Sequence, residues 1–420
     1  MYKRITGRFN RRAIKVEEAQ QKILQHVIPL PSERLPLSDC FGRRLAERVH
    51  AGQDVPHFPR SGMDGYAVRS ENALGASPEN PVVLKVTDVI YAGGEAKVAV
   101  TTGTAVRIMT GAPMPPGASA VVMLEQTEEH EEAGQLYVKV KHPVTAHQNI
   151  AFPGDEIRSG QFLIDAGSKI QPGQAALLAT FGYAQVNVHR KPRVGIFSTG
   201  SELLPIDAPL TYGKIRNSNS SMLAAQVQHF GGVAIEYGSF PDDLAIAREM
   251  IRKAIEEVDI VITSGGVSVG DYDVMTEIFA EMEHDLLFNK VAMRPGSPTT
   301  AAFHQGTFLF GLSGNPGACF VGFELFVRPV LLRMQGVNDP FADVFEAELG
   351  SDYPKGSPHD RYERGKLVYE KGKMAVYSLA YGKSSMMVSI QDANCLIVVP
   401  SGKTGAKKGE LVKVIPLTYQ

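Results

Sequence analysis

The sequence predicts a multidomain protein of the α/β plus β class, with a doubly wound parallel-sheet domain, an inserted β-rich domain and a small C-terminal β-barrel. Three observations carry this reading. Between residues 193 and 335, apolar strand-like runs alternate with helical patterns at βαβ spacing. Residues 51–151 instead show short β-rich runs cut by Gly and Pro, and the same texture returns beyond Pro340. A chain of 420 residues has room for about three domains, and its 41 glycines and 26 prolines suit turn-rich β structure.

Taken in order, residues 1–15 carry Lys3, Arg4, Arg8, Arg11, Arg12 and Lys15 without an acid, and read as a solvated terminus rather than a nucleic-acid arm or part of a transit peptide. Val16, Ala19, Ile23, Leu24 and Val27 then recur at helical spacing until Pro29 and Pro31 stop the pattern. Val82–Leu84, Val98–Val100 and Ala120–Met123 read as strands of the inserted domain. Gln174 to Thr180 reads as a short apolar helix leading to a strand at Ala184–Val188, and Pro192 marks a boundary. The expected domains are 11–50 with 152–190 as a discontinuous linking and dimerisation domain, 51–151, 191–338 and 339–420.

In the α/β domain the expected strands are Val194–Phe197, Val233–Tyr237, Ile260–Thr263 and Phe308–Leu312. The expected helices are Ser221–Phe230, Asp243–Glu257, Val274–Met282 and Gly317–Met334. Ligands of such a sheet bind beyond the carboxyl ends of its strands. In the barrel, Lys366–Tyr369, Met374–Leu379, Cys395–Val399 and Leu411–Ile415 are the expected strands.

Composition excludes several function classes. Lys and Arg number 43 against 45 Asp and Glu, so no global basic field points to nucleic acid. Three scattered cysteines, Cys40, Cys319 and Cys395, make no disulfide framework and suit a reducing compartment, so a cytoplasmic protein is expected. No apolar run approaches the roughly 18 residues of a membrane span. Histidine-zinc spacing, a nucleophile elbow and a Walker lysine are all missing, and Cys319 falls on an apolar helix.

The chemistry concentrates where expected strands run into small-residue turns: Ser198-Thr199-Gly200, Ser264-Gly265-Gly266 with Ser268, and Ser313-Gly314-Asn315-Pro316. Glycine lets backbone amides approach an anion, and Pro316 suits the first turn of a helix. Glu202, Asp242 and Asp273 lie beside these turns, whereas Asp243 reads as a helix cap and Asp271 as a solubilising loop residue. Carboxylates beside a phosphate nest need a cation between them, and Mg2+ suits one or two carboxylates plus phosphate oxygens, so Asp242 and Asp273 are the candidate metal ligands. Lys290 and Arg294, ahead of Pro295 and Pro298, read equally as surface charge or as anion binders. Asp64 and Thr110 sit among turn formers, where the local reading is a side-chain-stabilised turn.

Together these motifs resemble the molybdopterin molybdenumtransferase family, which includes bacterial molybdenum-cofactor synthesis proteins and the gephyrin E domain. The resemblance rests on SGMDGYAV at 61–68, RIMTGAPMPPG at 107–117, STGSEL at 198–203, TSGGVSVGDYD at 263–273, RPGSP at 294–298 and GLSGNPGAC at 311–319. It implies an enzyme that accepts adenylylated molybdopterin and molybdate as substrates and releases AMP with a divalent cation. It further implies catalytic roles for Asp64, Thr110, Glu202, Asp242 and Asp273, with Lys290 and Arg294 at an anion site. Molybdate is then expected at Lys290, Arg294 and Ser313, joined by Arg364 or Ser384 of the barrel. A homodimer is expected, with Asp64 and Thr110 serving the site across a subunit boundary; the nearly all-apolar stretch Cys319–Leu332 supplies the second motive. Transient contacts with the adenylyltransferase and with cofactor-accepting enzymes are implied as well. Ser313 replaces a proline common in the family, and Asp155-Glu156 reverses the usual acid order, leaving both acids without a role. The rival readings are an adenylyltransferase-like enzyme and a non-catalytic gephyrin-like scaffold.

Overall fold

The computed structural model describes residues 12–241, 243–266, 274–370, 372–379, 385–402 and 404–417. The chain divides into two compact units, one formed by Met1–Glu47, Ala166–Ala175 and Ala184–Gln420, the other by Arg48–Asp165 and Ala176–Tyr183.

In the second unit a curled six-stranded sheet runs in the order Ala120–Met123, Gly65–Val68, Thr104–Ile108, Val82–Ile90, Gln135–Val140, Thr127–Glu132. Its pairs are antiparallel except Val82–Ile90 beside Thr104–Ile108. Side chains alternate between two cores: Tyr66 and Val68 pack with Leu84, Val122 and Val138, while Ala67 packs with Val106, Ile108 and Val121. The run Val98–Val100 forms no strand. Val98 is exposed, and the Val100 N–H bonds the Pro116 carbonyl instead of a ladder neighbour.

The first unit holds the α/β sheet. Its order is Val233–Ser239, Arg193–Ser198, Ile260–Ser264, Thr307–Leu312, Thr300–His304, Leu286–Phe288. The first four strands are parallel, as the β-α-β alternation predicts, and the last two extend the sheet as antiparallel additions. Helices Ser218–His229, Leu244–Glu257 and Val274–Glu281 belong to the connections. Asp243 is indeed a cap: its carboxylate accepts the N–H groups of Ala245 and Ile246.

The helix opening at Pro316 continues to Met334 through a π turn at Phe323–Val327. Pro329 removes a donor in the middle of this helix, which strips the Leu325 carbonyl of its usual partner. Gln20, from helix Val16–Leu24, supplies the missing donor: its Nε2 bonds that carbonyl at 2.9 Å. Cys319, Phe323, Phe326, Val327 and Leu331 are buried in a core with Val16, Ile23, Leu223, Phe308 and Leu396 of the same chain. The apolarity of Cys319–Leu332 is therefore satisfied within the protomer and gives no argument for a dimer.

The C-terminal segments close a five-stranded barrel, in which Asp360–Glu370 pairs with both Lys373–Ser378 and Cys395–Val399. Phe345–Leu349 and Leu411–Pro416 complete the ring. Short strand Met293–Arg294 lies parallel to Asp360–Arg361, which ties the α/β domain to the barrel. No helix among the described residues is long and apolar enough to cross a membrane.

Candidate active site

Ser198, Ser264 and Leu312 stand in register at the carboxyl ends of three adjacent parallel strands, so the three glycine turns emerge side by side. They are also bonded to one another. The Thr199 N–H donates to the Ser264 carbonyl and the Gly265 N–H to the Leu312 carbonyl, each at 3.0 Å. Gly265, at φ +89°, is wedged so tightly that a Cβ would lie 2.6 Å from Thr199 Oγ1. Gly200 is equally committed: a Cβ there would fall 2.4 Å from Glu202 Oε2, so the missing side chain lets the Glu202 carboxylate fold over its own turn.

Two asparagines that the motif reading passed over organise these turns. Asn219 Nδ2 donates to Ser264 Oγ at 2.7 Å and to the Gly314 carbonyl at 2.8 Å, linking the second turn to the third. Asn217 caps helix Ser218–His229, and its Nδ2 donates to Ser198 Oγ at 3.0 Å. The Asn-Ser-Asn-Ser run at 217–220 was the available signal, since polar residues buried at a helix start need partners. Cys319, buried beneath Ser264, has its thiol pushed up to about 12 by desolvation, which suits packing and not nucleophilic chemistry.

A cavity of about 320 Å³ opens beside the third turn, lined by Arg294, Ser313, Asn315, Lys355, Arg361, Glu363 and Arg364 among others. The structure thus brings Arg294, Ser313 and Arg364 together. Lys290 is not among the lining residues; its carbonyl accepts the Ile14 N–H. Lys355, Arg361 and Glu363 were not anticipated from the sequence. Arg361 Nε and Asn315 Oδ1 are buried without a hydrogen-bond partner. Four cations and one carboxylate in the lining suit an anion with several oxygens.

In the other unit, the two N-terminal motifs meet. Thr110 donates both its N–H, at 2.6 Å, and its hydroxyl, at 2.7 Å, to Asp64 Oδ1. These two bonds hold the Asp64 carboxyl below its ordinary range, with a smaller contribution from Arg107. The pairing of Gly65–Val68 with Thr104–Ile108 sets this juxtaposition.

Asp242, Ser268, Asp273 and Ser384 lie outside the described residues. Among the described residues, no cluster of three acids, histidines or cysteines could hold a metal ion.

Residues 14–182 match the family described as MoeA N-terminal region (domain I and II), 195–333 the "Probable molybdopterin binding domain", and 346–417 the MoeA C-terminal region (domain IV). The chain is 42% identical over 405 residues to molybdopterin molybdenumtransferase of Staphylococcus epidermidis, covering 96% of each chain. It is 43% identical over 405 residues to the protein of that name in Bacillus subtilis, covering 96% of this chain and 94% of the relative. The crystal structure of molybdopterin biosynthesis moeA protein from Pyrococcus horikoshii OT3 superposes with a TM-score of 0.81 at 33% identity, over 97% of this chain and 100% of that one. The fold, the order of its motifs and these matches agree, and the chain belongs to the molybdopterin molybdenumtransferase family.

Proposed function

We propose that this protein is a molybdopterin molybdenumtransferase that takes molybdate and adenylylated molybdopterin and releases AMP. The observation that carries the reading is the juxtaposition of two anion sites of different character. Glycine turns at adjacent strand ends suit the phosphates of the pterin substrate, at Ser198, Thr199, Gly200, Ser264, Gly265, Gly266 and, in sequence, Ser268. Through Ser313, Gly314, Asn315 and Pro316 these turns adjoin the cationic cavity, which suits a tetrahedral oxyanion such as molybdate.

In this reading Arg294, Arg361 and Arg364 hold the oxyanion by charge-assisted hydrogen bonds, with Ser313 as a hydroxyl donor, while Lys290 acts from outside the cavity. Mg2+ is the divalent cation we assign to the pyrophosphate, with Asp242 and Asp273 as its ligands and Glu202 as a further catalytic acid. When bound, it would neutralise the phosphate charge that develops as AMP departs. Asp64 and Thr110 complete the catalytic set in a homodimer, the Thr110 donors keeping the Asp64 carboxylate ionised.

Incubating the purified protein with adenylylated molybdopterin, Mg2+ and molybdate, and measuring AMP, tests the reaction. Arg294→Ala is expected to raise the molybdate concentration needed for half-maximal AMP release by about tenfold or more, equivalent to about 1.4 kcal/mol. Weakened pterin binding with unchanged molybdate dependence would reassign these cations to the substrate's phosphates.

A further inference from the structure

The cationic cavity contains one carboxylate among its described lining residues, Glu363, and at first sight that charge opposes an anion. Glu363 is only 4% exposed, and the barrel encloses it with donors. The Tyr353 hydroxyl donates to Glu363 Oε2 at 3.1 Å, and Ser378 Oγ donates to Oε1 at 3.0 Å. Tyr353 is itself 1% exposed. Burial and the neighbouring carboxylate push its hydroxyl upward, with Arg361 offsetting part of that shift, so it stays protonated and keeps donating. Both carboxylate oxygens are therefore engaged from within the barrel.

This arrangement bears on which anion enters. Molybdate at neutral pH carries no proton and needs only donors and cations. Inorganic phosphate carries one or two protons, and a site that binds it well offers an acceptor for them. A carboxylate is such an acceptor, and a weaker one the more of its lone pairs already hold donors. Resting on the oxyanion reading above, we propose that Tyr353 and Ser378 set the selectivity of this cavity: by donating to both oxygens of Glu363 they weaken it as an acceptor for hydrogen phosphate and favour a proton-free tetrahedral dianion among the cations. Tyr353, Ser378 and Glu363 are positioning and specificity residues in this role, since they act through the acceptor capacity of the cavity.

The test uses the full-length protein in the AMP-release assay, with Tyr353→Phe, Ser378→Ala and the double variant. Inorganic phosphate is titrated as competitor, and sulfate serves as the proton-free control. In the double variant the molybdate KM is expected to rise about tenfold with kcat changed less than about threefold, while phosphate becomes a stronger inhibitor by about tenfold and sulfate does not. Tyr353→Phe keeps the ring and its packing, so a folded protein is expected, and its thermal transition confirms it. If molybdate, phosphate and sulfate all weaken together, or if the phosphate-to-molybdate preference moves less than twofold, the selectivity role is overturned. Arg294→Ala separates this outcome from failure of the underlying reading: an unchanged molybdate dependence in that variant rejects the oxyanion cavity itself, whereas a raised one leaves only the selectivity role at issue.

Discussion

Gly265→Ala probes the contact between strand-end turns on which the proposed phosphate site depends. Gly265 sits at φ +89°, and a methyl there would lie 2.6 Å from Thr199 Oγ1 and 2.9 Å from the Thr199 carbonyl oxygen. The hydroxyl can rotate away, but the carbonyl belongs to a backbone pinned by the bond from the Thr199 N–H to the Ser264 carbonyl. The left-handed conformation costs an alanine about 1–2 kcal/mol. Overlap with a fixed neighbour adds about 1–3 kcal/mol, giving a total of about 2–5 kcal/mol. Gly306→Ala supplies the control, because Gly306 has φ +86° with no heavy atom within 4 Å of the added methyl. It should therefore lose only the conformational part. Chemical denaturation of both variants, followed on the transition of the unit that holds both glycines, should separate them by at least about 1 kcal/mol. Gly265→Ala should also weaken binding of the adenylylated substrate, while Gly306→Ala leaves it unchanged. Equal stability losses in the two variants would refute the steric argument, and normal substrate binding by Gly265→Ala would remove these turns from the site.

Replacing Gln20 by Leu should cost about 1–2 kcal/mol in thermal or chemical unfolding, because the Leu325 carbonyl loses the donor that replaces the Pro329 N–H; an unchanged midpoint would show that the π turn satisfies itself. Asp64 titrates below the ordinary carboxyl range because Thr110 donates to its charged form, so the stabilisation from those bonds is present above the unfolded-state value and disappears as pH falls through the folded one. Thr110→Ala should move the Asp64 midpoint upward in a carboxyl-carbon NMR titration, and an unmoved midpoint would contradict that cause. Cys319, with its thiol raised to about 12 by complete burial, should resist iodoacetamide at pH about 8 in the folded protein and react once unfolded; rapid labelling of native protein would mean that the helix start opens.

Much of the architecture was legible because its physical requirements are local. Val194–Phe197, Ile260–Thr263 and Phe308–Leu312 are buried throughout, and strands covered on both faces read as continuous apolar runs. The glycines at 200, 265 and 266 were legible because their φ values, between +70° and +135°, exclude most other residues. Strands Thr300–His304 and Leu286–Phe288 were missed, since prolines and glycine in the Lys290–Thr299 stretch suggested only a stiff loop. Lys355, Arg361 and Glu363 were missed for a different reason. Arg361 and Glu363 lie on the strand that pairs with Met293–Arg294, and Lys355 in the loop before it, and no local pattern in either segment announces a partner so distant in sequence.

The helix from Pro316 to Met334 shows how a broken local rule becomes informative once its surroundings are known. An interior proline predicts a break, yet every residue from Phe323 to Leu331 is buried and the helix runs on. The π turn accommodates Pro329, and the same turn carries Glu324, whose Oε1 accepts Gln226 Nε2 at 3.0 Å. Arg328, one residue before the proline, lies 3.7 Å from Glu324 Oε2 and places its guanidinium 5.6 Å from the centre of the Phe230 ring. A buried ion pair is weak evidence for stability, because desolvation offsets most of the attraction. Register is held instead by the contacts that cross to helix Ser218–His229 and its cap, Gln226 to Glu324 and Arg328 over Phe230, since a one-residue slip of this helix would break both. The helix begins at the third glycine turn and ends against the Phe230 carbonyl through Gln335, so holding its register also holds Asn315 and Pro316 at the strand ends. The apparent flaw in the sequence thus serves the geometry of the site at the other end of the helix.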